Sequence, residues 1–207
     1  MPQAPRDEWV TVDDLSFHYR DWGGSGQPMV LLHGLASSCH IWDLVASILA
    51  KDYAVIALDQ RGHGESAKPT EGYDFAFVTQ DVLGVIDHLG GPPPIVVGHS
   101  WGGSVALELA VRAPESLKGM AWVDGGMINA SARYDSVEDA KLEMSPPDFT
   151  GVQLEDFKER VRNRHQGGGM APGSHEVVMA NFEVLADQTI KARLTRANHL
   201  RIIEALW

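Results

Sequence analysis

A serine hydroxyl is a poor nucleophile until its surroundings expose it and a base takes its proton. The string Gly98-His99-Ser100-Trp101-Gly102 has the spacing that supplies the exposure. It follows the β-branched run Ile95-Val96-Val97 and leads into Ser104-Val105-Ala106-Leu107-Glu108-Leu109-Ala110, which reads as a helix. Strand, sharp turn and helix in that order put Ser100 at an apex where the backbone is strained. Side chains two residues away would crowd it, so glycine is expected at 98 and 102. The helix N-terminus, with its free N–H groups, then faces whatever the serine attacks. A Gly-x-Ser-x-Gly string alone is common. In this context it points to covalent catalysis by a serine and not to a merely structural turn.

The elements that must hold this turn alternate strand with helix through the first 126 residues, the pattern of a mainly parallel sheet covered on both faces. Residues Trp9–Val12 and Leu15–Tyr19 flank Asp13-Asp14 and read as an opening hairpin. Met29–Leu32, Tyr53–Leu58, Ile95–Val97 and Met120–Val123 read as buried strands. Helices are expected over Ile41–Leu49, over Val78–Leu89 with Val82, Val85, Ile86 and Leu89 on one face, and from Ser100 to near Pro114. After Gly126 the pattern turns to helices and loops. Leu154, Phe157 and Val161 mark one helical face, opposite Lys158, Arg160 and Arg164. Val177, Val178, Asn181 and Phe182 begin another, and Gly167-Gly168-Gly169 between them reads as a mobile loop. Leu200, Ile203 and Leu206 are spaced as in a helix, yet the sequence stops at Trp207 with neither cap nor breaker.

The 207 residues suit one domain, and 44% hydrophobic with 22% charged residues is ordinary for a globular chain. No stretch approaches a membrane span and the first residues have no signal-peptide core, so a cytoplasmic location is expected. The single Cys39 excludes an internal disulfide and offers no cysteine cluster to a metal; no cofactor is implied. A net charge of −11 argues against nucleic acid and against an anionic membrane surface. The oligomeric state is left open.

His33-Gly34, Asp59-Gln60-Arg61-Gly62-His63-Gly64-Glu65-Ser66 and Gly98-His99-Ser100-Trp101-Gly102-Gly103 occur in this order, each just after an expected strand. Together they resemble the α/β-hydrolase fold superfamily in its serine-nucleophile branch. The resemblance implies an α/β fold with a mostly parallel, doubly wound sheet. Residues 1–126 would form the core, 127–199 a helical cap over Ser100, and 200–207 the start of a helix leading back to core strands not contained in the sequence. It implies Ser100 as nucleophile toward a carbonyl, giving an acyl-enzyme. The backbone N–H groups of Leu35 and Trp101 would form the oxyanion hole, and their side chains would line the pocket. A serine at this place implies that the chain is unlike the members that use aspartate there, such as epoxide hydrolases and haloalkane dehalogenases.

The family's catalytic histidine follows the last strand, and none of the nine histidines stands after an expected strand downstream of Ser100. His33, His63 and His99 read as structural. His18, His40 and His88 lie upstream, and His165, His175 and His199 fall in or beside the cap. The chain is therefore expected to lack the base and to hydrolyse poorly by itself. Asp124, at the end of the strand after the nucleophile helix, is either the acid or a turn-former. The leading reading is a serine hydrolase of carboxylic esters or related acyl bonds, acting on a small-molecule acyl substrate. The others are a perhydrolase, amidase or carbon–carbon bond hydrolase of the same fold, or a non-catalytic module that holds a small ligand.

Overall fold

The computed structural model describes residues 4–163 and 171–207. The Gly167–Gly169 loop and His165 lie outside the described residues. Six strands form one sheet: β1 (Arg6–Val12), β2 (Leu15–Gly23), β3 (Gln27–Leu32), β4 (Tyr53–Leu58), β5 (Ile95–His99) and β6 (Gly119–Val123), in the order β1-β2-β4-β3-β5-β6. The first two pair antiparallel as the expected hairpin, and β2 pairs antiparallel with β4. The other neighbours are parallel. The last four residues of β3 and of β4 are buried without a break, as strands covered on both faces must be.

Alternate residues of these strands divide the core. Val30, Leu32, Ile56 and Leu58 face α2 (Phe75–Leu89) and α3 (Trp101–Arg112), where Val82, Val85, Val105 and Leu109 are fully buried. Met29, Leu31, Val55 and Ala57 face the other way, onto Trp22 of β2 and onto Trp42 and Ala46 of the segment around α1 (Asp43–Leu49). The hydrophobic periodicity placed the start of α2 at Val78. It begins three residues earlier because the Asp74 carboxylate accepts from the N–H groups of Ala76 and Phe77 at 2.9 and 3.2 Å.

Beyond β6 lie α4 (Val137–Glu143), α5 (Leu154–Asn163), α6 (Ser174–Met179), a two-stranded hairpin of β7 (Phe182–Val184) and β8 (Ile190–Ala192), and α7 (Arg196–Leu206). Two expectations need correction here. The helical face assigned to Val177–Phe182 ends at Met179, and Phe182 opens a strand. Asp187 caps the turn to β8 by accepting from the Thr189 N–H at 3.0 Å, and Gln188 takes a positive φ of 65°. The division at 199/200 falls inside α7, which starts at Arg196 because the Thr195 hydroxyl accepts from the Asn198 N–H. Ile202, Ile203 and Leu206 of α7 already sit in the main core cluster. Phe149, Phe157, Phe182, Val161 and Ile190 make a separate small cluster around the hairpin. No described helix is long and apolar enough to cross a membrane.

Candidate active site

Strand β5 ends at His99, Ser100 follows with φ 51° and ψ −118°, and α3 starts at Trp101. The Ser100 N–H donates to the Val123 carbonyl of β6 at 3.0 Å, which fixes the turn against the neighbouring strand. The turn is so tight that glycine is required on both sides. A Cβ on Gly98 would lie 2.2 Å from the Gly102 carbonyl oxygen, and one on Gly102 would lie 2.5 Å from the His33 oxygen. The expected strand–turn–helix geometry is therefore present, with the serine at its apex.

The loop after β3 closes over this apex: a methyl group on Gly34 would lie 3.1 Å from Ser100 Cβ. Ala36 is held at φ 58° and the Ser37 N–H donates back to the Gly34 oxygen, so Leu35 sits at the tip of a tight turn. Among the described residues the backbone N–H groups of Leu35 and Trp101 have no protein acceptor. His33 anchors the turn. Its Nδ1 donates to the Gly34 oxygen at 2.8 Å and its Nε2 accepts from the Gln60 N–H at 3.1 Å. Burial lowers its pKa, so it works as a neutral bracket. Burial likewise pushes the His63 pKa well down, and the ring stacks on Trp101 with centroids 5.3 Å apart. These two histidines are structural, as their motif positions suggested.

The expectation that Leu35 and Trp101 line the pocket is not met. The Trp101 side chain is 1% exposed and packed in the core, and Leu35 lies against the same cluster. A nearby cavity of about 580 Å³ has Ala36, Ser37 and Gly64 on the core side. On the other side stand Phe149, Phe157, Arg160, Val161 and Phe182, with His199 of α7. Ser100 does not border it; the Gly34–Ser37 loop connects the two. Arg160, read from its spacing as part of a polar face, forms part of this wall.

No described histidine is hydrogen-bonded to Ser100. His99 turns to Gly34, with its Nδ1 buried and unpartnered. Asp124 follows β6 with φ 47°, exposed and paired with no histidine among the described residues. It stands beside Ser100 only through its neighbour, since a Cβ on Gly125 would lie 2.4 Å from Ser100 Cα.

The structure also assembles a buried group that no spacing in the sequence signals, because its members come from three separate segments. Asp59 accepts from His18 Nδ1 at 2.7 Å and from the N–H groups of Cys39 and Glu65 at 2.7 and 2.9 Å. His18 Nε2 faces Asp7 at 3.1 Å. With a carboxylate at each ring nitrogen, only the imidazolium donates to both. His18, Cys39 and Asp59 bring one ligand atom each within 4.8 Å of one another. Asp59 and His18 already spend their lone pairs and protons on each other and on these partners, so the group is a hydrogen-bonded tie and does not fit a metal. Burial raises the Asp59 pKa, but the His18 hydrogen bond and the two N–H donors outweigh it and hold the carboxyl well below its usual value. Burial lowers the His18 pKa, and Asp59 and Asp7 more than offset this to a net rise.

The sign of the pH dependence follows. Asp59 contributes stability above its usual value of about 4 and loses it as pH falls toward its depressed pKa. His18 contributes fully below about pH 6.5 and loses it as pH rises through its elevated pKa. Denaturant unfolding at a series of pH values should therefore show greatest stability between about pH 4 and 6.5 from this pair. Asp59→Asn should flatten that profile and lower stability by about 3 kcal/mol, since it removes the buried partner of His18 and leaves only the half-exposed Asp7 beside the ring.

The sequence profile of the alpha/beta hydrolase fold matches residues 27–167. The soluble epoxide hydrolase of Corynebacterium sp. (strain C12) is 47% identical over 99 residues, covering 48% of this chain and 34% of that protein. The bifunctional esterase/perhydrolase DCH of Acinetobacter calcoaceticus is 34% identical over 158 residues, covering 75% of this chain and 56% of that one. The chain thus spans only about a third to just over half of the length of these curated relatives. Among solved structures, that of E-2-(acetamidomethylene)succinate hydrolase superposes with a TM-score of 0.79 at 22% identity, covering 98% of this chain and 73% of that one.

Proposed function

Because this chain belongs to the α/β-hydrolase fold family, we propose that it carries the nucleophile and oxyanion hole of a serine hydrolase of carboxylic esters or related acyl bonds. The observation that carries this reading is Ser100 at a strained apex, with the unclaimed N–H groups of Leu35 and Trp101 beside it. In the reaction, Ser100 Oγ attacks the carbonyl carbon and loses its proton to a base. The carbonyl oxygen takes up negative charge between the two N–H donors, each worth ~3 kcal/mol of transition-state stabilisation. The tetrahedral species collapses, the alcohol leaves with a proton, and water repeats the sequence on the acyl-enzyme. No described residue is assigned as the base.

The relatives' names include epoxide hydrolases, and the chemistry of Ser100 speaks against that activity here. A carboxylate that opens an epoxide leaves an ester, which water cleaves. A serine that did so would leave an ether, which water does not. A perhydrolase differs only in passing the acyl group to peroxide, and the Acinetobacter calcoaceticus relative supports this as the second reading.

The test is a fluorophosphonate probe with mass spectrometry of the digest. Ser100 is expected to be the modified serine, and Ser100→Ala to remain unlabelled. Modification at another serine with Ser100 untouched would overturn the assignment. A chain that takes no label yet binds small acids would favour the non-catalytic ligand-binding module.

A further inference from the structure

We infer that the cavity between the Ala36–Ser37 loop and the cap takes a substrate whose apolar body carries a carboxylate, held by Arg160. The catalytic use of this cavity rests on the serine-hydrolase reading; the binding does not. The chain holds 28 acidic and 17 basic residues. Against that excess, the described cavity wall contains two arginines, Arg160 and Arg193, and no carboxylate. Arg193 is neutralised by Glu65, with Nη1 2.7 Å from the carboxylate oxygen. Arg160 is in no ion pair among the described residues.

Helical geometry explains why Arg160 reaches this wall. It stands three residues after Phe157 and one before Val161, so it flanks the apolar stripe of α5 and does not oppose it. Its neighbours across the cavity are apolar. Phe149 packs edge to face on Phe157 and Phe182, which are tilted against each other, with centroids 4.6 to 5.6 Å apart. A guanidinium at the rim of such a wall offers two parallel N–H donors that match a carboxylate, while the aromatic rings hold the rest of the molecule.

His199, the remaining titratable group of the described wall, supplies no second cation to compete with Arg160. It is 6% exposed and lines the cavity. Its Nε2 donates to the Met144 oxygen at 2.9 Å, which leaves Nδ1 as a buried acceptor with no protein donor. Burial lowers the His199 pKa, so the ring stays neutral and Nδ1 keeps its lone pair.

Titration calorimetry of the full 207-residue chain with 5-phenylpentanoate and with the uncharged 5-phenylpentanamide tests the proposal. The carboxylate is expected to bind about tenfold more tightly, a preference that shrinks with added salt. Arg160→Gln, an exposed position whose melting temperature serves as the folding control, should bring the carboxylate down to the affinity of the amide. Equal binding of the two compounds, binding of neither, or a preference that survives Arg160→Gln would overturn the proposal. Hydrolysis of the p-nitrophenyl half-ester of glutaric acid against p-nitrophenyl pentanoate separates the two readings. Absence of an acyl adduct on Ser100 from either ester, read by mass spectrometry with the calorimetric preference intact, counts against Ser100 as nucleophile and leaves the carboxylate site standing.

Discussion

Ser100→Gly is expected to give a protein that is more stable and inactive. A non-glycine residue at φ 51° and ψ −118° is held in a conformation that costs about 1–3 kcal/mol. Glycine adopts it freely, at the expense of about 1 kcal/mol of extra freedom lost on folding. The net is a stabilisation of about 1 kcal/mol, read as a higher denaturant midpoint at unchanged slope. Acylation at position 100 should be abolished, because no hydroxyl remains to form the acyl-enzyme. The opposite signs make the result diagnostic. If Ser100 were only a structural turn residue, the variant would gain stability and keep whatever turnover the parent has. A loss of both stability and activity would mean that the hydroxyl, and not the backbone, holds the elbow together.

The second large effect concerns Gly98. Its missing side chain is replaced by the backbone of Gly102, with the added Cβ falling 2.2 Å from an oxygen and 2.3 Å from a carbonyl carbon. Neither is the far end of a flexible side chain, so α3 would have to move away from β5. Gly98→Ala should destabilise the protein by about 3 kcal/mol or more, at the upper end of what overpacking does. Surviving folded protein should be unlabelled by fluorophosphonate, since the shift displaces both Ser100 and the Trp101 N–H. Gly119→Ala is the control: neither Gly98 nor Gly119 has a positive φ, and a Cβ on Gly119 meets nothing within 4 Å, so no clash would register there. A Gly98→Ala protein as stable as that control would show that the tight approach of Gly98 to Gly102 is not a constraint.

The strand–turn–helix around Ser100 was legible because every signal for it is local. β-Branched residues, two glycines and a helical run lie within about twenty residues, and the core strands announce themselves as unbroken apolar runs. The stretch after β6 was less legible. Strands β7 and β8 are three residues each, too short for alternation to declare itself, and Val177, Val178 and Phe182 also fit a helical spacing. Arg160 was assigned to a polar face because periodicity marks only which residues share a side. It does not say where the edge of that side meets a cavity. The place of the Trp101 side chain is hidden for a related reason: its backbone borders the elbow while the side chain packs beneath it and stacks on His63. The tie of His18, Cys39 and Asp59 joins residues up to 41 positions apart, and nothing in the sequence around any one of them points to the other two.

That tie also encloses the one thiol of the chain. Cys39 is fully buried, and its pKa is pushed well above the ordinary value, first by burial and then by the Asp59 charge. Thiolate is the form that reacts, and here it is both scarce and out of reach. Oxidants and alkylating reagents can therefore attack only molecules in which the segment around Cys39 has swung away from Asp59. The rate of thiol modification becomes a built-in clock for that local opening, readable in unlabelled protein without introducing a probe. While the end of β4 stays closed, the folded chain is protected from thiol-linked dimerisation.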